Sequence, residues 1–157
     1  MMINITENPQ LQEFTLDGVR FVSPDDALYA VSNGEAYLLD VREPNETEVD
    51  VVKLPDVIFV PMSKIEDRLA DIPTDKLVIT ACPGGIRSVR IANSLVNKGF
   101  TNIASLDGGL NLWKSKDLPY EYNLGKGSIY GTKPAKPDFK SLLMGSRLDV
   151  SRVGTKK

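Results

Sequence analysis

The 157-residue chain contains no histidine and a single cysteine, Cys82. The absence of histidine excludes Ser-His-Asp triads, Cys-His pairs and His-ligated zinc sites. One thiol can form neither an intramolecular disulfide nor a thiolate metal site, which suits a reducing compartment. We therefore expect no metal and no cofactor, and any reactivity of Cys82 must come from the backbone and the charges around it.

Long apolar segments are also missing from the sequence. No run approaches the ~18 residues that a membrane helix needs, and the N-terminal stretch MMINITENPQLQEF lacks the basic and apolar regions of a secretory signal. The composition, 41% hydrophobic and 25% charged, is ordinary for a globular protein. The sequence therefore predicts one domain with its own core, no membrane partner and a cytoplasmic location.

Charge is distributed unevenly along the chain. Residues 1–122 carry 11 basic and 19 acidic side chains, whereas residues 123–157 carry 8 and 2. The acidic body argues against a nucleic-acid partner. We interpret residues 1–122 as the domain and residues 123–157 as a basic C-terminal tail rich in Gly, Pro, Ser and Lys, which is either a poorly ordered extension or a docking arm.

Apolar runs alternate with helix-like segments from residue 23 onward. Ser23 and Pro24 form a helix start, and Asn33-Gly34 is the matching stop. This alternation predicts an α/β fold, an open and mostly parallel sheet of about five strands with helices on both faces. Predicted strands are AYLLD (36–40), VIFVPM (57–62), KLVITA (76–81) and NIASL (102–106). EFTLDGVRFV (13–22) is a hairpin or edge strand, and VREPNETEVDVVKLPD (41–56) is a surface loop with room for a short helical turn. Predicted helices after the first are SKIEDRLADI (63–72, with a Ser63/Glu66 capping box), SVRIANSLVNKGF (88–100) and GGLNLWKSK (108–116).

Cys82 follows a predicted strand at its carboxyl end, where ligands bind in such sheets. The loop CPGGIRS then turns into a helix, so successive backbone N–H groups can surround the thiol as an anion-binding nest. These groups belong to Gly84, Gly85, Ile86, Arg87 and Ser88. A lone cysteine is most often a small buried apolar residue. Two glycines, an arginine and a helix N-terminus favour a reactive thiolate instead.

Three ordered motifs resemble the single-domain rhodanese family over about residues 20–121: LLDVREPNE (38–46), CPGGIRS (82–88, as C-x-x-G-x-R-S) and GFTNIASLDGGLNLWKSKDLP (99–119). The resemblance implies a rhodanese-like fold and sulfurtransferase activity with a persulfide on Cys82. It also implies thiosulfate or a persulfide as donor, a thiol or cyanide as acceptor, and a protein in either role.

The loop length separates this chain from related enzymes. C-x4-R is typical of sulfurtransferases, whereas the related dual-specificity phosphatases have one residue more, so phosphatase and arsenate reductase activities are minor alternatives. Pro83 and Gly84 stand where several thiosulfate-using relatives have a basic residue, which leaves a protein or small-thiol persulfide as an alternative donor. A rhodanese-like binding or redox-sensing module is the non-enzymatic alternative.

Other residues near the motifs have candidate supporting roles. Asp40, Arg42 and Glu43 are interpreted as loop-bracing, with Asp40 pairing with Arg87 or bonding to the loop. Arg87 either steers an anionic donor or pairs with such a carboxylate. Ser88 is predicted to cap the following helix, with a bond to bound sulfur as the alternative. Gly108-Gly109 is interpreted as a tight turn and Trp113 as a packing residue.

Overall fold

A computed structural model describes residues 3–123 of the chain. Apart from Asn123, the predicted tail lies outside the described residues. Within them the chain divides into two compact units, the first comprising residues 3–44 and 54–112 and the second residues 45–53 and 113–123. The prediction of a single domain over residues 1–122 therefore stays a prediction, and each unit is described by itself.

The first unit contains a mostly parallel sheet, which confirms the predicted α/β class. The described strands of this sheet number six, one more than expected. Only the outermost pair, β1 with β2, is antiparallel; the other pairs are parallel. In spatial order the strands are β1 (Ile5–Thr6), β2 (Phe21–Val22), β7 (Ile103–Leu106), β6 (Leu77–Ala81), β3 (Ala36–Asp40) and β5 (Val57–Phe59).

The central strand β6 positions the cysteine. Every residue of β6 is buried, and the strand lies between β3 and β7, so both of its edges are hydrogen-bonded. Val78 belongs to a core cluster that also contains Val89, Leu95 and Cys82 itself. Burying each large aliphatic side chain stabilises the fold by about 1.5–3 kcal/mol. Cys82, which directly follows Ala81, is therefore attached to a rigid part of the sheet.

Two predicted helices lie close to where the sequence placed them. Helix α1 (Pro24–Ser32) begins after Ser23, whose Oγ accepts the Asp26 N–H at 3.2 Å, and it ends at Asn33 before Gly34 with φ 73°. Helix α3 (Ile86–Asn97) begins two residues earlier than predicted, inside the cysteine loop. Its first turn is therefore part of that loop.

The helix predicted over residues 63–72 is present but is not an α-helix. Residues Met62–Asp71 form a 3-10 helix that is interrupted at Arg68, where φ is −125°. The capping box also does not form, because the Glu43 carboxylate accepts both the N–H (3.1 Å) and the hydroxyl (2.7 Å) of Ser63. Glu66 instead pairs with Lys98 at 3.1 Å. A carboxylate distant in sequence therefore binds the Ser63 N–H that the Glu66 side chain would accept in a capping box.

Three other sequence predictions need correction. The strand expected over residues 57–62 is only Val57–Phe59 and is a partly exposed edge, because it has a single neighbour. Residues 13–22 form no hairpin; only Phe21–Val22 is a strand, parallel to β7. The surface loop over residues 41–56 contains the short helical turn that was expected, as α2 (Pro44–Thr47), but it also contains an unpredicted strand, β4 (Asp50–Val52).

The second unit contains a two-stranded antiparallel sheet of β4 and β8 (Tyr120–Tyr122). The Tyr120 hydroxyl donates to the Asp50 carboxylate at 2.6 Å. Trp113 is fully buried, as predicted for a packing residue, and its indole N–H donates to the Pro119 carbonyl at 2.9 Å. Nowhere between residues 3 and 123 is a helix both long and apolar enough to cross a membrane.

Tyr122 makes the stability of this unit sensitive to alkaline pH. Burial, together with the charges of Asp50 and Asp117, raises its pKa from 10.0 to about 12. Between these pH values the unfolded chain loses the phenol proton before the folded chain does, so the free energy of unfolding falls as the pH rises. Tyr122→Phe should flatten this fall in urea unfolding measured at several pH values. The exposed Tyr29→Phe is the control, and an unchanged slope in Tyr122→Phe would contradict the assignment.

Candidate active site

Cys82 lies at the carboxyl end of β6, as the sequence predicted. The preceding residue is held in place, since the Ala81 carbonyl accepts the Val41 N–H at 3.1 Å. Cys82 is only 1% exposed, and residues 82–85 carry the chain from the strand into α3. The thiol is therefore buried at the point where a parallel sheet and the N-terminus of a 12-residue helix meet.

Backbone amides point at the sulfur. The N–H groups of Gly85 and Ser88 each reach Cys82 Sγ at 3.2 Å. Gly85 has φ 86°, a conformation that residues with a Cβ rarely adopt and that lets the chain fold back over the thiol. Amide donors and the positive end of a helix both favour a negatively charged sulfur. The geometry can thus hold an anion on Cys82 or on an atom bound to it.

A chain of buried hydroxyls reaches the same sulfur. Ser105 Oγ donates to Ser88 Oγ at 3.0 Å, and Ser88 Oγ lies 3.3 Å from Cys82 Sγ. Thr80 Oγ1 donates to the Ser88 carbonyl at 2.8 Å. The predicted capping role of Ser88 is wrong, because α3 begins at Ile86 with Gly85 as its cap. The alternative interpretation, a bond from this hydroxyl to bound sulfur, stays a prediction; the hydroxyl lies beside the sulfur of Cys82 itself.

The amides of α4 (Gly109–Ser115) hold the outside of the cysteine loop. Leu110 N–H donates to the Cys82 carbonyl at 2.8 Å, and Asn111 N–H donates to the Pro83 carbonyl at 2.9 Å. In a trans peptide the C=O and the following N–H point in opposite directions. Holding the Pro83 carbonyl outward therefore turns the Gly84 N–H toward the inner side of the loop.

Gly109 allows this contact because it has no side chain. A Cβ there would lie 2.8 Å from the Cys82 carbonyl oxygen and 2.9 Å from the Gly85 nitrogen, and even closer to the Pro83 oxygen. Its φ of 72° also favours glycine. Sequence analysis identified a tight turn at Gly108-Gly109 but missed its contact with the loop. Ser105 was missed as well, although a serine in a buried apolar strand was an available signal.

Asp40 and Arg42 form a buried ion pair beside β6. Arg42 Nε and a terminal guanidinium nitrogen donate to the Asp40 carboxylate at 3.0 and 2.9 Å, and the two residues are 5% and 0% exposed. Asp40 is the register partner of Ala81, next to Cys82. The Glu43 carboxylate accepts hydrogen bonds from Ser63.

The remaining predicted residues of the loop are exposed or half-buried. Gly84 is exposed, Ile86 is 49% exposed, and Arg87 is half-buried in the first turn of α3. Arg87 is the only charged residue between positions 82 and 88. The direct roles of Gly84, Ile86 and Arg87 in binding a substrate stay predictions, as does bracing of the loop by Asp40, Arg42 and Glu43.

Comparison with known proteins adds a family to this geometry. Residues 23–116 match the model of the rhodanese-like domain family. The chain is 32% identical over 92 residues to "Thiosulfate sulfurtransferase GlpE" of Pseudomonas syringae pv. syringae, covering 59% of this chain and 85% of that protein. It is 39% identical over 82 residues to "Uncharacterized protein YqhL" of Bacillus subtilis, covering 52% of this chain and 64% of that protein, less than two thirds of its length.

A solved structure agrees with the fold. A rhodanese-related protein from Thermoplasma volcanium matches with a TM-score of 0.57 at 25% identity, covering 64% of this chain and 95% of that chain. The sheet described above is therefore similar to that of a known relative over most of the relative's length.

Adding a Cβ at Gly109 should damage the loop. Gly109→Ala introduces the contacts with the loop backbone and a strained φ, so we expect the free energy of unfolding to fall by about 2–4 kcal/mol. Alkylation of Cys82 by iodoacetamide should slow as the loop amides move. The matched control is Gly84→Ala, where a Cβ meets open space, and stability should change by less than about 1 kcal/mol. Equal stability of the two variants in urea unfolding would refute the contact.

Proposed function

The chain belongs to the rhodanese-like domain family, and from this premise we propose that it is a sulfurtransferase that carries sulfane sulfur as a persulfide on Cys82. The observation that carries the proposal is the pair of amides, Gly85 N–H and Ser88 N–H, directed at Cys82 Sγ at 3.2 Å. A thiol placed only for packing has no need of such donors. The relative named a thiosulfate sulfurtransferase supports the same chemistry.

The reaction proceeds in two displacements. The Cys82 thiolate attacks the outer sulfur of the donor, its S–S bond breaks, and sulfite (from thiosulfate) or a thiolate (from a persulfide) leaves with the electron pair. The acceptor, a thiol or cyanide, then attacks the terminal sulfur of the Cys82 persulfide. The Cys82–sulfur bond breaks and the Cys82 thiolate leaves with its electron pair, so the protein ends unchanged.

The inner surface of the loop suits both steps. Charge passes between Cys82 Sγ, the terminal persulfide sulfur and the leaving group, and preorganised N–H donors stabilise such charge without rearrangement. The 12-residue helix α3 adds its positive end at the same point. Ser88 Oγ, 3.3 Å from Sγ, provides a further hydroxyl. No general base is needed once the thiolate has formed.

The charges at the loop support a persulfide donor alongside thiosulfate. Thiosulfate is a dianion, whereas Arg42 is already paired with Asp40 and Arg87 is the only charged residue of the loop. Exposed Ile86 and Gly84 add no charge to the entrance. A small-thiol persulfide or a protein persulfide needs fewer cations.

The proposal includes a cytoplasmic location, since a reducing compartment keeps the lone thiol free.

Sulfur loading can be measured directly. After incubation with thiosulfate or a small-thiol persulfide and removal of excess donor, intact-protein mass spectrometry should show the gain of one sulfur atom. Cys82→Ser should abolish the gain, and subsequent cyanide or thiol should remove the sulfur from the wild type. A wild-type thiol that remains unmodified by every donor would reject the sulfurtransferase and leave the binding or redox-sensing module.

The relative rates of sulfur loading from thiosulfate and from a small-thiol persulfide provide a second test. If the single loop cation limits thiosulfate use, the Cys82 persulfide should form at least about threefold faster from a small-thiol persulfide than from thiosulfate at equal concentration. Raising the ionic strength should slow loading by thiosulfate more, because the doubly charged donor is screened more strongly. The measurement is stopped-time mass spectrometry at low and high salt. Faster loading by thiosulfate would show that charge at the entrance does not limit this donor.

A further inference from the structure

The N-terminal segment Gln10–Phe14 lies against the cysteine loop. Its position is set by Asp107, which is 2% exposed and follows β7 directly. The two oxygens of the Asp107 carboxylate accept the N–H of Gln10 at 2.7 Å and the N–H of Leu11 at 3.0 Å. Hydrogen bonds to a buried carboxylate are among the stronger ones in proteins. The segment is thus fixed next to the site by a charged anchor.

The side-chain amide of Gln12 joins two backbone turns beside the sulfur. Its Nε2 donates to the Gly85 carbonyl at 3.1 Å and to the Phe14 carbonyl at 2.8 Å, while its Oε1 accepts the Gly108 N–H at 2.8 Å. Only the primary amide of Asn or Gln combines two N–H donors with an acceptor oxygen in one uncharged group. Gln12 lies outside the residues 23–116 that match the family model, so the family pattern does not supply this contact.

The contact with Gly85 orients the inner donors of the loop. Because the C=O and the following N–H of a trans peptide point in opposite directions, holding the Gly85 carbonyl outward turns the Ile86 N–H toward the sulfur side. The same bond restrains Gly85 in its unusual conformation, φ 86°, from which its own N–H reaches Cys82 Sγ. Gln12 is packed so closely that any Cβ on Gly85 would overlap its amide.

We propose that Gln12 is a positioning residue for Cys82, which holds the Gly85 peptide so that the loop amides face the sulfur. The inference rests on the proposed function, because it assigns Gln12 to the site that carries the persulfide. Gln12 makes no hydrogen bond to Cys82 Sγ and acts through the backbone of Gly85. The segment before the matched family domain thereby sets the reactivity of the thiol within that domain.

The test compares two glutamine positions on the same segment. Gln12→Met keeps the length of the side chain and removes its hydrogen bonds, while Gln10→Met is the matched control because the Gln10 side chain bonds only locally, to the Asn8 carbonyl. Iodoacetamide alkylation of Cys82 is measured from acidic to alkaline pH. In Gln12→Met the rate at neutral pH should fall about threefold to tenfold and the profile should move to higher pH, as expected for the loss of one orienting hydrogen bond.

A second variant keeps the comparison available if Gln12→Met folds poorly. Gln12→Glu retains an acceptor for the Gly108 N–H but turns a carboxylate oxygen toward the Gly85 carbonyl, so its alkylation profile should move further than that of Gln12→Met. The proposal is overturned if the Gln12 variants that fold show the same alkylation profile as Gln10→Met. This holds even if the melting temperatures of those variants have fallen.

Sulfur loading measured in parallel separates the two proposals. A displaced alkylation profile in a protein that never gains sulfur would support the positioning role of Gln12 and reject the sulfurtransferase. Normal sulfur loading with an unmoved alkylation profile would support the sulfurtransferase and reject the positioning role of Gln12.

Discussion

The sulfur of Cys82 accepts hydrogen bonds from the amides of Gly85 and Ser88, and other parts of the chain bind carbonyls of the same loop. A loop of glycines does not hold such a conformation unaided, because glycine is the residue with the most backbone freedom to lose. Each carbonyl that points outward therefore needs an external partner. Leu110 and Asn111 supply backbone donors for two of them, and Gln12 supplies a side-chain donor for a third.

The charged residues Arg42 and Asp40 near the thiol are paired with each other, and the groups that contact the sulfur are neutral. Arg42 and Asp40 neutralise each other in a buried position one strand away from Cys82. Burying an ion pair of this kind costs desolvation energy. Removing one partner strongly destabilises the folded protein, because the other charge is left buried without compensation. Neutral groups contact the sulfur instead: the backbone amides and the hydroxyl of Ser88, itself bonded to Ser105. A thiol can thus be held as an anion without a histidine beside it.

Local patterns predicted those parts of the fold that short-range physics determines. The Ser23 cap, the stop at Asn33-Gly34 and the buried strand β6 depend on neighbours in sequence, and each was predicted within a residue or two. The Ser63 capping box failed because Glu43, twenty positions away, bound the Ser63 N–H that Glu66 would have accepted. The strand Val57–Phe59 lies at the edge of the sheet, and its apolar sequence does not distinguish an edge strand from a central one.

The sequence by itself determined the identity and setting of the reactive group: one cysteine, after an apolar strand, before two glycines, an arginine and a helix, in a chain without histidine. These features are contiguous, so their chemistry can be inferred from residue types and spacing. Only the tertiary structure decided what holds the loop, because Gln12, Ser105 and the amides of α4 reach it from distant parts of the chain. Every residue except proline has a backbone N–H, so residue types do not show which of these groups bind the loop. A glutamine in an irregular segment likewise has no spacing that indicates its partner.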